Sequence, residues 1–415
     1  MNKEEFVKSL EKVKLIIGNG FDLHCGLHTK YSDFYCKNFK RYLFIQNLYS
    51  EYEKSNEVSF NFEDQKIARL NVWDIFFALN SSKNPFDCKN RWCDIERLIL
   101  SSLLDIDSSK TDIKKIAISL ASNVHWETIK DCILNNRNAT NHLDRFVVKF
   151  CSEKMNLNNI NHADFYSFLL NELNEFEKDF GNFIYSQIHN TWLEKCNYGE
   201  IFLNKTFVQM AKDTINKVCT EQNIVGIDTF NYSYIHDEEL LQITQHINGS
   251  VKNPIFGVDT IFEPNDERFI FTKTSRRIDS DFINNSIDEK PDFENIIIFG
   301  HSLDEEDYSY YFPVFDKLDL TNPLSSHIVV FAYSIFDESR KHEIKSNLRQ
   351  SISNLLYAYA KSKNLREPNR FLDSLSTQKR IIVYEIPKID KKLYPTDFNE
   401  IEWENIYKEV DYTKR

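Results

Sequence analysis

Val13-Lys14-Leu15-Ile16-Ile17-Gly18-Asn19-Gly20-Phe21-Asp22-Leu23-His24-Cys25-Gly26-Leu27 holds the first apolar run of the chain and the turn that follows it. A short apolar run breaks at Gly-x-Gly and resumes at helical spacing, which reads as strand, tight turn and helix, the place where an α/β protein holds a nucleotide. Glycine is scarce elsewhere: the 415-residue chain has nine, where average usage would give roughly 30. Three of the nine fall within residues 18–26, and Gly226, Gly249, Gly257 and Gly300 each border a short apolar run. Glycine used so sparingly marks positions where the backbone itself requires it.

Working outward, residues 27–40 continue at helical spacing with Thr29 or Ser32 as N-cap, and from about 40 to 220 the pattern is overwhelmingly helical. Near 223 the character changes. Strands are expected at 223–231, 243–248, 254–258, 295–300, 327–333 and 380–386, with helices at 335–362 and 367–376. Continuous apolar strands alternating with helices imply an α/β fold with a mostly parallel sheet covered on both faces. Residues 1–39 and 221–390 then form one discontinuous domain, 40–220 a helical insertion, and 391–415 a C-terminal tail with the composition of a docking helix.

Ligands of such sheets collect beyond the carboxyl ends of the strands. The residues expected there are Gly18, Asn19, Gly20, Phe21 and Asp22; Asn231 to Tyr234, including Tyr232; His246 to Ser250, including Gly249; and Gly300, His301 and Ser302 on to Asp304, with Asp307 shortly after. Asn231 either holds a ribose hydroxyl or a water, or closes its strand through a side-chain turn. His246 suits a general base near neutral pH, or is a structural strand histidine. Backbone amides at His301-Ser302, read as opening a helix, suit a phosphate, while Asp304 and Asp307 either bind ribose or favour the helix N-terminus. Asp22 is a helix N-cap or a polar ligand contact. His24 and His28 stand at a metal-binding spacing, but Gly26 and Leu27 interrupt the helix and no third ligand accompanies them, so no metal is expected. In Trp92-Cys93-Asp94-Ile95-Glu96 the two carboxylates open a helix without sharing a face.

Composition narrows the function classes. A net charge of −12 disfavours nucleic acid as a partner. Lys273, Arg276 and Arg277 make the nearest approach to a basic patch and read as a solvated loop. Eight cysteines without a C-x-x-C pair exclude a zinc ribbon and read as free thiols in a reducing cytoplasm. No apolar run is long enough for a signal segment or a membrane span.

The chain resembles the AbiH family of bacteriophage abortive-infection proteins. The match rests on LIIGNGFDLHCGLHTKYSDF, WCDIE, FNYSY at 230–234, HINGSVKNPIFGVD at 246–259 and IFGHSLDEEDYSYY at 298–311. Their order is also similar to a diverged sirtuin-like Rossmann domain, which implies contacts to NAD at Gly18, Gly20, Phe21 and Ser302 and a catalytic pair at Asn231 and His246. Asn19, Asp22 and Asn248 depart from that pattern, and the missing zinc-ribbon cysteines disfavour protein deacylation. The resemblance implies a cytoplasmic anti-phage protein that binds NAD or a related nucleotide and hydrolyses NAD at its nicotinamide N-glycosidic bond. It also implies a homo-oligomer and a phage-derived trigger or partner defence protein. The alternative is a non-catalytic nucleotide-binding sensor or scaffold; a nuclease is the third class.

Overall fold

A computed structural model describes residues 2–57, 60–80, 95–104, 124–188, 205–235, 237–258, 262–279 and 292–388. The expected tail helix at 391–415 and Trp92, Cys93 and Asp94 lie outside the described residues. The chain forms two compact units. The first comprises Met1–Thr29, Ile184–Lys252 and Asp281–Ile401, and the second takes Lys30–Phe183 and Asn253–Ser280.

The first unit is built on a six-stranded sheet of β1 (Val13–Ile17), β2 (Ile224–Thr229), β3 (Thr244–His246), β6 (Asn295–Phe299), β7 (Ile328–Tyr333) and β8 (Ile381–Glu385). Two short strands, β4 (Gly249–Ser250) and β5 (Asn253–Pro254), intervene in the chain outside this sheet. The spatial order is β3-β2-β1-β6-β7-β8, and every neighbouring pair is parallel. The order therefore reverses between β1 and β6, the arrangement of a Rossmann-like sheet, whose ligand crevice opens at that reversal.

Strand residues are apolar in unbroken runs because both faces are covered. Ile16, Ile296, Ile298, Val329 and Phe331 lie on one face and pack with Tyr311, Phe315, Leu355 and Tyr359. These last four come from the helices Tyr308–Lys317 and Lys341–Ser362. Leu15, Ile17, Ile297, Phe299 and Val330 alternate onto the opposite face and are equally buried. Each such side chain contributes about 1.5–3 kcal/mol by leaving water. One polar cluster interrupts the first face: Lys14 Nζ lies 2.8 Å from Asp228, which also accepts the Tyr310 hydroxyl.

The second unit is helical, with a core of stacked and edge-on aromatic rings around Trp73, Phe76 and Trp126. Trp73 Nε1 donates to the Leu169 carbonyl at 3.0 Å, so its polar edge is satisfied inside that core.

Three local expectations are corrected. Residues 254–258 are not a strand of the parallel sheet; they belong to the helical unit, where the Phe256 ring meets Tyr31, Phe176 and Phe180. Lys273 and Arg276 are not a solvated loop but part of the helix Lys273–Asp279, where Lys273 pairs with Glu96 at 2.9 Å and Arg276 with the buried Glu177. The helix after the glycine turn begins at Tyr31 with Lys30 as N-cap, because the Thr29 hydroxyl is engaged by Asn19 Oδ1 at 2.5 Å. Of the eight cysteines, Cys25, Cys36, Cys132, Cys151 and Cys219 are free thiols, and Cys88, Cys93 and Cys196 lie outside the described residues. Among the described residues no helix is long and apolar enough to cross a membrane.

Candidate functional site

The carboxyl ends of β1, β2, β3 and β6 bring together most of the expected residues. The glycines come first, because they set how closely two turns approach. The Gly20 amide donates to the Gly300 carbonyl at 2.7 Å, and a Cβ on Gly20 would stand 2.7 Å from Gly300 Cα. Gly300 has φ +67, and a Cβ there would meet the Phe21 amide nitrogen at 2.5 Å. Gly18 is likewise closed in by His301 Cα at 2.7 Å. Glycine is required here for backbone-to-backbone packing of the two turns.

That packing occupies amides a phosphate would need. Gly18 N donates to Phe299 O, Gly20 N to Gly300 O and Phe21 N to Gly18 O. The Phe21 ring is fully buried against Phe299, so it serves the core, whereas Asn19 is exposed. The six-residue helix Asn19–His24 that follows carries Asp22 in its first turn.

Asp22 is 2% exposed, and no cation faces it among the described residues. Asn231 Nδ2 donates to its Oδ1 at 2.8 Å, and the Ser233 hydroxyl donates to its Oδ2 at 2.6 Å. Burial pushes its pKa up to about 7 against the pull of those two donors. Asn231 Nδ2 also donates to the Gly18 carbonyl at 3.1 Å. Both acceptors are oxygens, so the amide can only point one way, and its Oδ1 remains to accept from a ligand. The Asn231 amide N–H is satisfied by Thr229 Oγ1 at 3.0 Å, which turns the chain at the end of β2. Asn231 thus closes its strand, and its Oδ1 takes no part in the hydrogen bonds of its side-chain amide to Gly18 and Asp22.

His246 ends β3. Its Nδ1 lies 3.2 Å from the Asn231 carbonyl oxygen. A carbonyl only accepts, so the proton sits on Nδ1 and the lone pair on Nε2. Burial lowers the pKa of the ring, which keeps it neutral and basic at Nε2, although the Asn231 carbonyl pulls the other way.

The remaining residues sit differently from their expected roles. Ser302 is exposed, and the residues after β6 do not open a helix at once: a loop leads into a 3-10 turn, Glu305–Asp307, before the helix Tyr308–Lys317. His301 Nδ1 accepts the Leu303 amide at 2.9 Å, its Nε2 lies 3.4 Å from Asp307, and its ring centroid is 4.2 Å from that of Phe230. Asp307 is buried in that pair. Tyr232 is buried, and Gly249 has φ +84. His24 is buried with Nδ1 2.6 Å from Ser334 Oγ, while His28 is exposed, so the two do not share a metal site. Burial, aided by Lys217, lowers the His24 pKa to about 4. Among the described residues no three His, Cys, Asp or Glu side chains come together as metal ligands.

The family described as "Bacteriophage abortive infection AbiH" matches residues 15–331, from β1 through β7. The chain belongs to the AbiH family. That membership gives this AbiH protein a role in abortive infection by phage, and the matched span contains the whole cluster of Gly18, Asp22, Asn231, His246 and Gly300. Neither curated proteins nor solved structures provide a match.

Ser233, which completes the Asp22 environment, was not singled out by sequence reasoning. Its only signal is its place two residues beyond Asn231 in Phe230-Asn231-Tyr232-Ser233-Tyr234. Ser334 carried no signal at all beyond following an apolar strand.

Proposed function

We propose that this AbiH protein binds NAD at the carboxyl ends of β1, β2 and β6 and hydrolyses its nicotinamide N-glycosidic bond. One observation carries the reading: the hydrogen bonds inside the protein leave Asn231 Oδ1 and His246 Nε2 as two acceptors on adjoining strand ends. Acceptors suit the hydroxyls of a ribose and the attacking water. In the proposed step, His246 Nε2 takes a proton from the water as its oxygen bonds to the anomeric carbon, and neutral nicotinamide leaves with the bond's electron pair through an oxocarbenium-like state. Asn231 Oδ1 orients the water or a ribose hydroxyl. The order of motifs, similar to a diverged sirtuin-like domain, supports the same substrate. The occupied amides of Gly18, Gly20 and Phe21 and the carboxylate of Asp22 favour the ribose end of the ligand, rather than its phosphates, at this turn.

The test is to incubate purified protein with NAD and follow nicotinamide release beside His246→Ala and Asn231→Ala. Loss of release in both variants supports the assignment, and unchanged release in both removes it. NAD bound intact without turnover, even alongside phage components, would instead identify a nucleotide sensor.

A further inference from the structure

A second site lies away from the glycine turn, at the β8 edge of the same sheet. Among the described residues β8 pairs only with β7, and along its other edge runs a cleft of about 350 Å³ lined by Val383, Tyr384 and Glu385. Three successive strand residues point alternately to opposite faces, so a cleft touching all three follows the edge itself. Its other walls are Tyr333 from the end of β7, Lys345 and Arg349 from the helix Lys341–Ser362, and Lys3 from the helix Lys3–Lys8.

The charges in this cleft oppose those of the molecule. The chain carries −12 overall, yet three cations and a single carboxylate line the cleft. That carboxylate is already committed: Glu385 takes Lys341 at 2.8 Å, Lys345 at 2.9 Å and the Tyr333 hydroxyl at 3.2 Å. Hydrogen bonds from the two lysines pull its pKa down to about 2. Lys3 and Arg349, by contrast, have no carboxylate partner among the described residues. A pair of unneutralised cations beside an already compensated ion cluster focuses small anions. Arginine in particular presents a fork that fits phosphate oxygens. Val383, Tyr333 and Tyr384 add apolar surface to the lining. Ligand pockets run roughly 300–1,000 Å³, and this cleft lies at the lower end of that range.

We propose that the β8-edge cleft binds a nucleoside phosphate, with Lys3 and Arg349 holding the phosphate and the strand-edge side chains facing the nucleoside. The site shares no residue with the glycine-turn crevice and stands whether or not that crevice cleaves NAD.

The full-length protein is titrated calorimetrically with AMP, and separately with inorganic phosphate, at low salt. Arg349→Glu and Lys3→Glu are titrated in parallel. AMP is expected to bind, and one binding event is expected to lose about tenfold or more in affinity in each charge reversal, the loss of one charge-assisted hydrogen bond. Lys3 and Arg349 are exposed, so the melting temperatures of their variants should match the parent, and a matched melting curve excludes misfolding. Three results would overturn the proposal: no AMP binding, an isotherm unchanged in both reversals, or inorganic phosphate binding as tightly as AMP, which would indicate an adventitious ion only.

Discussion

Replacing Asp22 by asparagine tests the central claim about the crevice, that a carboxyl group is buried there among neutral donors. The ordinary value of 3.8 rises to about 7 in the fold because burial disfavours the ionised form. At about 1.4 kcal/mol per pH unit, that rise is an upper bound of about 4 kcal/mol. Below the ordinary value Asp22 is protonated in both the folded and unfolded states. As pH climbs, the unfolded chain releases the proton while the folded chain keeps it, so folding stability falls until the folded group also ionises near neutrality. The amide that replaces the carboxyl group does not titrate. Its oxygen can accept from Asn231, and its nitrogen can donate to Ser233 once that hydroxyl rotates. The variant-minus-parent difference in stability should therefore start at a small constant below about pH 4 and grow in the variant's favour by up to about 4 kcal/mol above about pH 7. Thermal or urea unfolding of both proteins across that range measures it. Because the readout is the slope of the difference, any fixed cost of the amide drops out. A difference that stays flat, or that turns against the variant as pH rises, would refute the account of Asp22.

Gly20→Ala should destabilise the first unit by about 1–3 kcal/mol in thermal unfolding, the cost of forcing a Cβ into tightly packed backbone, whereas Gly226→Ala, with its nearest neighbour 4.0 Å away, should change it by less than about 0.5 kcal/mol. Arg276→Met leaves Glu177 buried and uncompensated and should cost about 3–5 kcal/mol, and adding Glu177→Leu should recover much of that. A double-mutant cycle in chemical unfolding reads both values. Leu355→Ala removes a fully buried side chain beneath the sheet and should lower stability by about 2–5 kcal/mol.

The sheet was legible because its strands are buried on both faces and so announce themselves as unbroken apolar runs; β1, β2, β6, β7 and β8 all lie where the sequence places them. The same signal misled at Pro254-Ile255-Phe256-Gly257-Val258. A run that is apolar throughout is equally at home in a helical core, and only the Phe256 ring contacts and the hydrogen bond its backbone amide donates to Glu177 distinguish the two. Long-range pairing was invisible for a different reason. Arg276 and Glu177 are 99 residues apart, and Ser233 and Asp22 are 211 apart. Neither pair leaves a local pattern, and each changes the meaning of its residues. Asn231 and His246 were found as separate candidates from their strand-end positions, but their hydrogen bond, which fixes which ring nitrogen of His246 carries the proton, belongs to the folded chain alone.

The position of β1 in the sheet has a consequence for how the protein is made. β1 ends at Ile17, yet its two neighbours end at Thr229 and Phe299. During synthesis from the N-terminus, this strand emerges from the ribosome with neither neighbour to pair with. At about 5–20 residues per second, roughly 15–60 s pass before the second partner has been made. Throughout that interval Leu15, Ile16 and Ile17 form an apolar segment that neither neighbouring strand covers. Production of this defence protein should therefore depend on chaperones that shield such segments, and a cell whose chaperones are already occupied should yield less of the folded form.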